Sequence, residues 1–333
     1  MRVALIGLGM VAGTYVDALK KTDIKLAGVF SRDPGHRRDF IAKHKLDARS
    51  YDSVGQIALD NIDFVILTTP PNARADIVAA LAAAGKPILM EKPVERTFPA
   101  ATALVDVCEA AGVPLGIMLQ HRARPVVRDL RALLPDLGPL RLAEVHVPWW
   151  RPQSYYDAPG RGSYARDGGG VMISQAIHTL DLMLSLTGPV AHVTAMTATT
   201  GFHSMESEDF VSAGLAFANG AVGTLSATTA SFPGRGETIT LHFANGSARI
   251  DTNLLSLDWQ DGRSETFGAA TSSGAGADPM AFTSDWHRAV IVDFAESLRE
   301  NRPPMVPGRA ALDVHRLIAA LEISGRTGAR VEV

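Results

Sequence analysis

Three groups of residues in this chain have types and spacings that can do chemistry. Near the start, Gly7, Gly9 and Ala12 form G-x-G-x-x-A, after an apolar run over 3–6 and before helix-spaced residues over 11–19. This pattern predicts a strand, a tight turn and a helix that opens on the turn. Gly7 permits the turn, Gly9 lets a pyrophosphate approach the backbone, and Ala12 lets helix and strand pack closely. The first N–H groups of the helix, together with its dipole, favour phosphate at that end. The second group is Ser31-Arg32, where dinucleotide folds carry an acidic residue for the ribose hydroxyls. A carboxylate there repels a 2′-phosphate, whereas a hydroxyl and a guanidinium bind one. NADP is therefore the expected dinucleotide and NAD the alternative. His36, Arg37 and Arg38 add positive charge just beyond, and Asp33 is the opposing feature. The third group can move a proton: Lys92, in Glu91-Lys92-Pro93, and His178. An ammonium can hydrogen-bond a reacting oxygen and offset its developing negative charge. To act as a base it needs burial or cationic neighbours that lower a pKa of ~10.4. The His178 ring can exchange a proton near neutral pH. It falls three residues before Asp181, on the same face of a helix.

The elements that must position these residues alternate between strand and helix up to about residue 120. Strands are expected over 24–30, 64–68, 87–90 and 115–119, and helices over 36–44, 74–84 and 100–111. Asp33 and Pro34 have the character of an N-cap and first helical position. Repeated β-α units of this length predict a parallel sheet with helices on both faces, which binds ligands at the carboxyl ends of its strands. The loops at 7–13, 31–33, 69–72, 91–93 and 120–122 all fall at that edge. After residue 120 the pattern changes. A helix is expected over 125–134, followed by strands over 142–149, 190–197, 210–217 and 221–230. Asn219-Gly220 and Asn245-Gly246 are strong hairpin signals, the second joining 238–243 to 247–251. This half is expected to be a mainly antiparallel sheet. Residues 268–279 are rich in Gly, Ala and Ser and predict a mobile loop, and helices over 284–300 and 309–324 close the chain. The expected division is a dinucleotide-binding domain at 1–120 and a second α/β domain at 121–333.

A chain of 333 residues is too long for one ordinary core. A net charge of −3 provides no large basic surface and argues against nucleic acid as a partner. No apolar run approaches the ~18 residues of a membrane span. The only cysteine, Cys108, allows neither an internal disulfide nor a cysteine metal cluster. His121, His178 and His203 show no ligand spacing, so no metal is expected. With a strand expected from residue 2, no signal peptide is expected either, and the cytoplasm is the simplest location.

Four features together resemble the glucose-fructose oxidoreductase / inositol dehydrogenase / MocA (Gfo/Idh/MocA) family. They are G-L-G-M-V-A-G at 7–13, T-P-P-N at 69–72, E-K-P at 91–93 and G-G-G-V-M-I-S-Q-A-I-H-T-L-D at 168–181. The ending around 322–328 is similar as well. The resemblance implies a nicotinamide-binding Rossmann domain and an α/β domain with a large open sheet, often used for oligomer contacts. A homodimer or homotetramer through that sheet is therefore expected. By this resemblance Gly7, Gly9, Met10, Val11, Ser31, Arg32, Thr69, Pro70, Asn72, Glu91, Lys92 and Gln120 hold the dinucleotide. Lys92 and His178 are catalytic, and Arg122, Tyr156, Arg161 and Ser174 join them around the substrate. Two departures stand out. Ser174 replaces an aspartate that many members carry four residues before the histidine, so Lys92 and His178 would share the proton. Arg74 replaces a histidine that is common after T-P-P.

The stretch Trp149-Trp150-Arg151-Pro152-Gln153-Ser154-Tyr155-Tyr156, with Arg161, suits a sugar, a cyclic polyol or a sugar acid. The C–H faces of such a ring stack on aromatics while its hydroxyls or carboxylate take hydrogen bonds. The expected reaction is reversible hydride transfer between a nicotinamide and a hydroxyl-bearing carbon of such a ring. The rivals are an NAD-dependent glycosidase of the same family, a simple carbonyl reductase, and a non-catalytic dinucleotide sensor. The sensor would be expected to lose the lysine that this chain keeps.

Overall fold

In the computed structural model, which describes residues 1–272 and 274–333, the chain forms two compact units. The first comprises Met1–Gln120 and Ser284–Leu312. Its strands are β1 (Arg2–Ile6), β2 (Lys25–Phe30), β3 (Arg49–Ser50), β4 (Phe64–Leu67), β5 (Ile88–Glu91) and β6 (Leu115–Met118). They form one parallel sheet in the order β3-β2-β1-β4-β5-β6. Its first five helices are α1 (Ala12–Leu19), α2 (Pro34–His44), α3 (Val54–Leu59), α4 (Ala75–Ala83) and α5 (Phe98–Ala110). The reversal of strand order beside β1 and β4 is the topological switch point of doubly wound sheets. Apolar runs such as Phe64–Leu67 are buried on both faces, as a helix-covered parallel sheet requires. Asp33 caps α2 by accepting from the Gly35 N–H at 2.8 Å, with Pro34 as its first residue.

The second unit comprises His121–Thr283 and Asp313–Val333. It contains α6 (Pro125–Leu137), β7 (Leu140–Pro148), α7 (Gln153–Tyr156), a π-helical turn (Met172–Ala176) and α8 (Ile177–Thr187). Strands β8 (Val190–Ala198), β9 (Phe210–Phe217), β10 (Val222–Thr228), β11 (Thr238–Phe243), β12 (Gly246–Asp251), β13 (Leu254–Trp259) and β14 (Ser264–Gly268) follow. Helix α9 (Asp285–Glu300), helix α10 (Gly308–Thr327) and strand β15 (Val331–Glu332) end the chain. Nine strands make one sheet in the order β14-β13-β12-β11-β7-β10-β9-β8-β15. All neighbours are antiparallel except β7 and β10. Both Asn-Gly pairs sit at hairpins, between β9 and β10 and between β11 and β12. Of the loop expected to be mobile, residue 273 lies outside the described residues.

The second unit begins at His121, and residues 284–312, expected in the second domain, pack with the first unit. Helix α9 buries Trp286, Val290, Ile291 and Phe294. The Phe294 ring meets Phe64 at 5.4 Å, and it fills the space left by Gly116, where a Cβ would lie 2.6 Å from the ring. The Ile117 N–H donates to the Val306 carbonyl at 2.9 Å, so the returning chain covers the open edge of β6. Strands β3, β13 and β14 and helix α3 were not expected from the sequence.

Candidate active site

The glycine turn follows β1. Gly7 has φ +96°, and a Cβ on it would lie 2.8 Å from the Thr69 backbone nitrogen. Only glycine fits there. A Cβ on Gly9 would meet nothing within 4 Å, so the space beyond this backbone is open. Helix α1 starts beside it with no side-chain cap, and Met10 is exposed next to Val11. Thr68 Oγ1 donates to the Gly7 carbonyl at 2.6 Å and ties the β4 loop to the turn. Two buried polar atoms of this unit, Thr69 Oγ1 and Gln120 Oε1, have no hydrogen-bond partner among the described residues. Buried polar atoms are rarely left so. With the uncapped helix end and the open backbone, they fit a polar, phosphate-bearing ligand. Pro70 and Asn72 are exposed on the same loop as Thr69.

At the end of β2, Ser31 Oγ donates to the Asp33 carbonyl at 3.1 Å and Arg32 is exposed. The Asp33 carboxylate is engaged in capping α2. Arg37 is not part of the positive charge available at this turn. It is buried, donating to the Ser31 carbonyl at 2.7 Å, Ser50 Oγ at 3.1 Å and Asp52 Oδ1 at 2.7 Å. It builds the turn and leaves Arg32, His36 and Arg38 as the exposed or half-exposed bases there.

The loop carrying Lys92 leaves the carboxyl end of β5. The Glu91 side chain, expected at the cofactor, is buried and bonded within the unit. Its Oε1 accepts from the Tyr15 hydroxyl at 2.8 Å and its Oε2 from the Lys92 N–H at 3.0 Å. Burial raises the Glu91 pKa, partly offset by the Lys92 charge and the Tyr15 hydrogen bond. Burial also pushes Tyr15 well above its usual range. The Tyr15 ring meets His287 edge-on at 5.5 Å. Burial, then the Lys92 charge, hold His287 down at about 3, so it stays neutral.

In the second unit, His178 lies on α8, just after the π-helical turn that contains Ser174. Such turns recur at functional sites. The Glu208 carboxylate holds the entry to this segment, accepting from the Gly170 N–H at 3.0 Å and the Met172 N–H at 3.1 Å. A Cβ on Gly170 would collide with the Glu208 carbonyl at 1.7 Å. The His178 ring packs on His121 with centroids 5.0 Å apart. Ser174 Oγ donates to the Gly170 carbonyl and contacts Gln175 Oε1.

Two residues expected at the substrate have other partners. Arg122 donates through Nε and Nη2 to both Asp181 oxygens, at 2.7 and 2.6 Å. The Tyr156 hydroxyl is buried against Thr229 Oγ1 at 2.7 Å. Arg161 stacks over Tyr155 at 4.7 Å and is half-exposed. Arg151 is buried, with Nη1 donating to the carbonyls of Trp150 and Gly276. His203 is likewise internal, bonded to Asp209 and to the Arg151 carbonyl. Among the described residues, no three His, Cys, Asp or Glu side chains are grouped to hold a metal ion. No described helix is long and apolar enough to cross a membrane.

Residues 1–119 match the model of an oxidoreductase family with an NAD-binding Rossmann fold, and residues 127–249 match the GFO/IDH/MocA C-terminal domain. The chain belongs to the Gfo/Idh/MocA oxidoreductase family. Across 99% of its length it is 26% identical to a D-apiose dehydrogenase of Paraburkholderia graminis, covering 89% of that protein. It is 32% identical to the rhizopine catabolism protein MocA of Rhizobium meliloti over 56% of this chain and 57% of that one. The crystal structure of the WlbA dehydrogenase from Bordetella pertussis, in complex with NADH and UDP-GlcNAcA, superimposes with a TM-score of 0.86. That match has 26% identity and covers 100% of this chain and 97% of the other. Membership makes this an oxidoreductase with a nicotinamide dinucleotide site in the first unit, which the open backbone at Gly9 and the orphaned Thr69 and Gln120 atoms accommodate.

Tyr15, Glu208 and Glu322 carry no sequence signal for their roles, because each acts through a partner distant along the chain. Glu322 sits behind the triple glycine, where a Cβ on Gly169 would be 3.1 Å from its Oε1. Burial, then the Glu208 charge, raise its pKa to about 7. A carboxyl whose folded pKa exceeds its unfolded value contributes stability below about 4.5, and this is lost as pH rises through about 7. Glu322→Gln should lie within about 0.2 kcal/mol of the wild type at pH 4, below the unfolded-state pKa. At pH 8 it should be more stable by about 2 kcal/mol, a figure discounted for partial exposure. Denaturant unfolding at both pH values measures this, and an equal difference at both would remove the effect from Glu322.

Proposed function

We propose that this chain catalyses reversible hydride transfer between a nicotinamide and a hydroxyl-bearing carbon of a sugar, a cyclic polyol or a sugar acid, and that NADP is its preferred dinucleotide. The observation that carries the reading is the Lys92 loop, anchored at the strand ends of the dinucleotide-binding unit through Glu91 and Tyr15. Gly7, Gly9, Met10, Val11, Thr69, Pro70, Asn72 and Gln120 would hold the dinucleotide. When bound, it supplies the hydride acceptor at C4 of its ring. Lys92, as the free amine, would take the proton of the substrate hydroxyl, helped by His178, and the ammonium so formed would offset the charge left on that oxygen. Ser174 orients and does not ionise, so no carboxylate shares that proton at this position. Arg161, over the Tyr155 ring, would be the basic residue of the second unit that contacts the substrate. The names of the relatives, a D-apiose dehydrogenase and a dehydrogenase holding UDP-GlcNAcA, support a sugar-like substrate.

Preference for NADP rests on Ser31 and the exposed Arg32 ending β2, with the nearby Asp33 carboxylate engaged in a helix cap. A charge-assisted hydrogen bond to phosphate contributes about 1.5–3 kcal/mol. Arg32→Ala is therefore expected to raise KM for NADP about 10- to 100-fold and to leave NAD nearly unchanged. The test is a spectrophotometric screen of NADP and NAD against sugars, inositols and sugar acids, with this variant in parallel. Turnover with NAD alone would end the NADP reading and keep the dehydrogenase. Sugar release without net cofactor reduction would make the chain a glycosidase, and tight dinucleotide binding with neither outcome would make it a sensor. Light scattering on the same preparation tests a homodimer or homotetramer through the nine-stranded sheet, where Met196 and Val222 are exposed. A monomer would end that part.

A further inference from the structure

We infer that Arg74 is a positioning residue for Lys92, an assignment that rests on Lys92 being the catalytic group. Arg74 precedes α4 and is 1% exposed, among the largest fully buried side chains in the molecule. Its Nε and Nη2 donate to the Thr69 carbonyl at 3.0 and 2.7 Å. Its Nη1 donates to the Glu91 carbonyl at 2.6 Å, to the Pro93 carbonyl, and at 3.3 Å to the Val94 carbonyl. One planar fork thus joins the Thr69 loop to the Lys92 loop and takes the carbonyls on both sides of Lys92. The Glu91 carboxylate clamps the same loop through the Lys92 N–H. Backbone atoms before, at and after Lys92 are therefore all bonded inward.

The residue type matters. A guanidinium presents five N–H donors in a rigid plane, an ammonium is a compact point charge, and an imidazole has at most two donors. Only arginine can serve acceptors on two loops at once in this way. The buried charge is met by carbonyl dipoles, and burial lowers the Arg74 pKa only to about 10, so it stays cationic at neutral pH. A displacement of about 1 Å at a reacting group can cost 10²-fold in rate. Holding the Lys92 backbone from two sides is therefore a contribution to turnover.

Arg74→Lys and Arg74→Gln test this by hydrogen exchange, dinucleotide affinity and steady-state kinetics. Exchange is expected to rise at least tenfold over 69–75 and 88–96, and to stay at wild-type levels in the remaining strands of the first unit. The kcat is expected to fall about 30- to 100-fold with the sugar KM within about threefold, and Arg74→Lys should retain more activity than Arg74→Gln. Exchange that is unchanged, or raised throughout the unit, overturns the assignment. So does failure of both variants to fold, which would make Arg74 a folding residue only. Hydrogen exchange needs no substrate. Absence of turnover in every protein would therefore count against the dehydrogenase reading, whereas quiet loops in an active enzyme would count against Arg74 alone.

Discussion

Lys92→Met is expected to lower kcat about 10³-fold while leaving dinucleotide affinity within a few-fold of wild type. Methionine keeps most of the length and apolar stem of lysine but removes the ammonium. Two contributions disappear together: the donor that offsets charge on the substrate oxygen, worth about 10²–10³ in rate, and transfer of the hydroxyl proton, worth about 10²–10⁴. They belong to one group and do not multiply in full, because residues that act as a unit are non-additive. The cofactor site should survive because the loop is held through its backbone. The Lys92 N–H still reaches Glu91, and Arg74 still grips the carbonyls on either side. A kcat within threefold of wild type would remove Lys92 from the reaction and shift the proton to His178. A parallel loss of dinucleotide binding would instead make the ammonium part of the cofactor site. Stopped-flow transients and dinucleotide fluorescence quenching on one preparation separate the two.

The parts of the molecule that are legible in the sequence are those whose signals are local. Strand β1, the Gly7 turn and α1 occupy consecutive residues, and the Asn-Gly hairpins announce themselves within a few positions. What failed was anything decided at a distance. Strand β3 has two residues and α3 six, too short for periodicity to register. Helix α9 reads correctly as a helix, but nothing in its own sequence says that Phe294 belongs over Gly116. The same limit applies to the site. Arg122 looks like a substrate ligand until Asp181 is found 59 positions on, and Tyr156 looks like one until Thr229 is found 73 positions on. Arg74 is an unusual residue after T-P-P, yet the partners of its guanidinium are carbonyl oxygens, which every residue type carries. Motifs show which groups are available, and the fold decides which of them are already occupied.

Asp181→Ala is expected to cost about 3–5 kcal/mol of stability, a magnitude set by the charge it strands. The Asp181 side chain is 1% exposed and that of Arg122 is 13% exposed, and both carboxylate oxygens are taken by the guanidinium. Removing the carboxylate leaves a largely desolvated cation with two donors unmet. The intact pair need not be strongly stabilising itself, because desolvation offsets much of the attraction between buried charges. The cost and the net worth of the pair therefore separate in a double variant. Arg122→Met with Asp181→Leu should recover most of the loss, and urea unfolding of all four proteins provides the cycle. Activity should not recover with stability. Asp181 lies on α8 one turn beyond His178, and Arg122 follows His121, whose ring packs against His178. The bidentate geometry fixes the distance between these two segments, and an apolar pair does not. If the double variant is both stable and fully active, the ion pair is only a way of filling the interior. If it is stable but turns over slowly with normal dinucleotide affinity, the pair sets the place of His178.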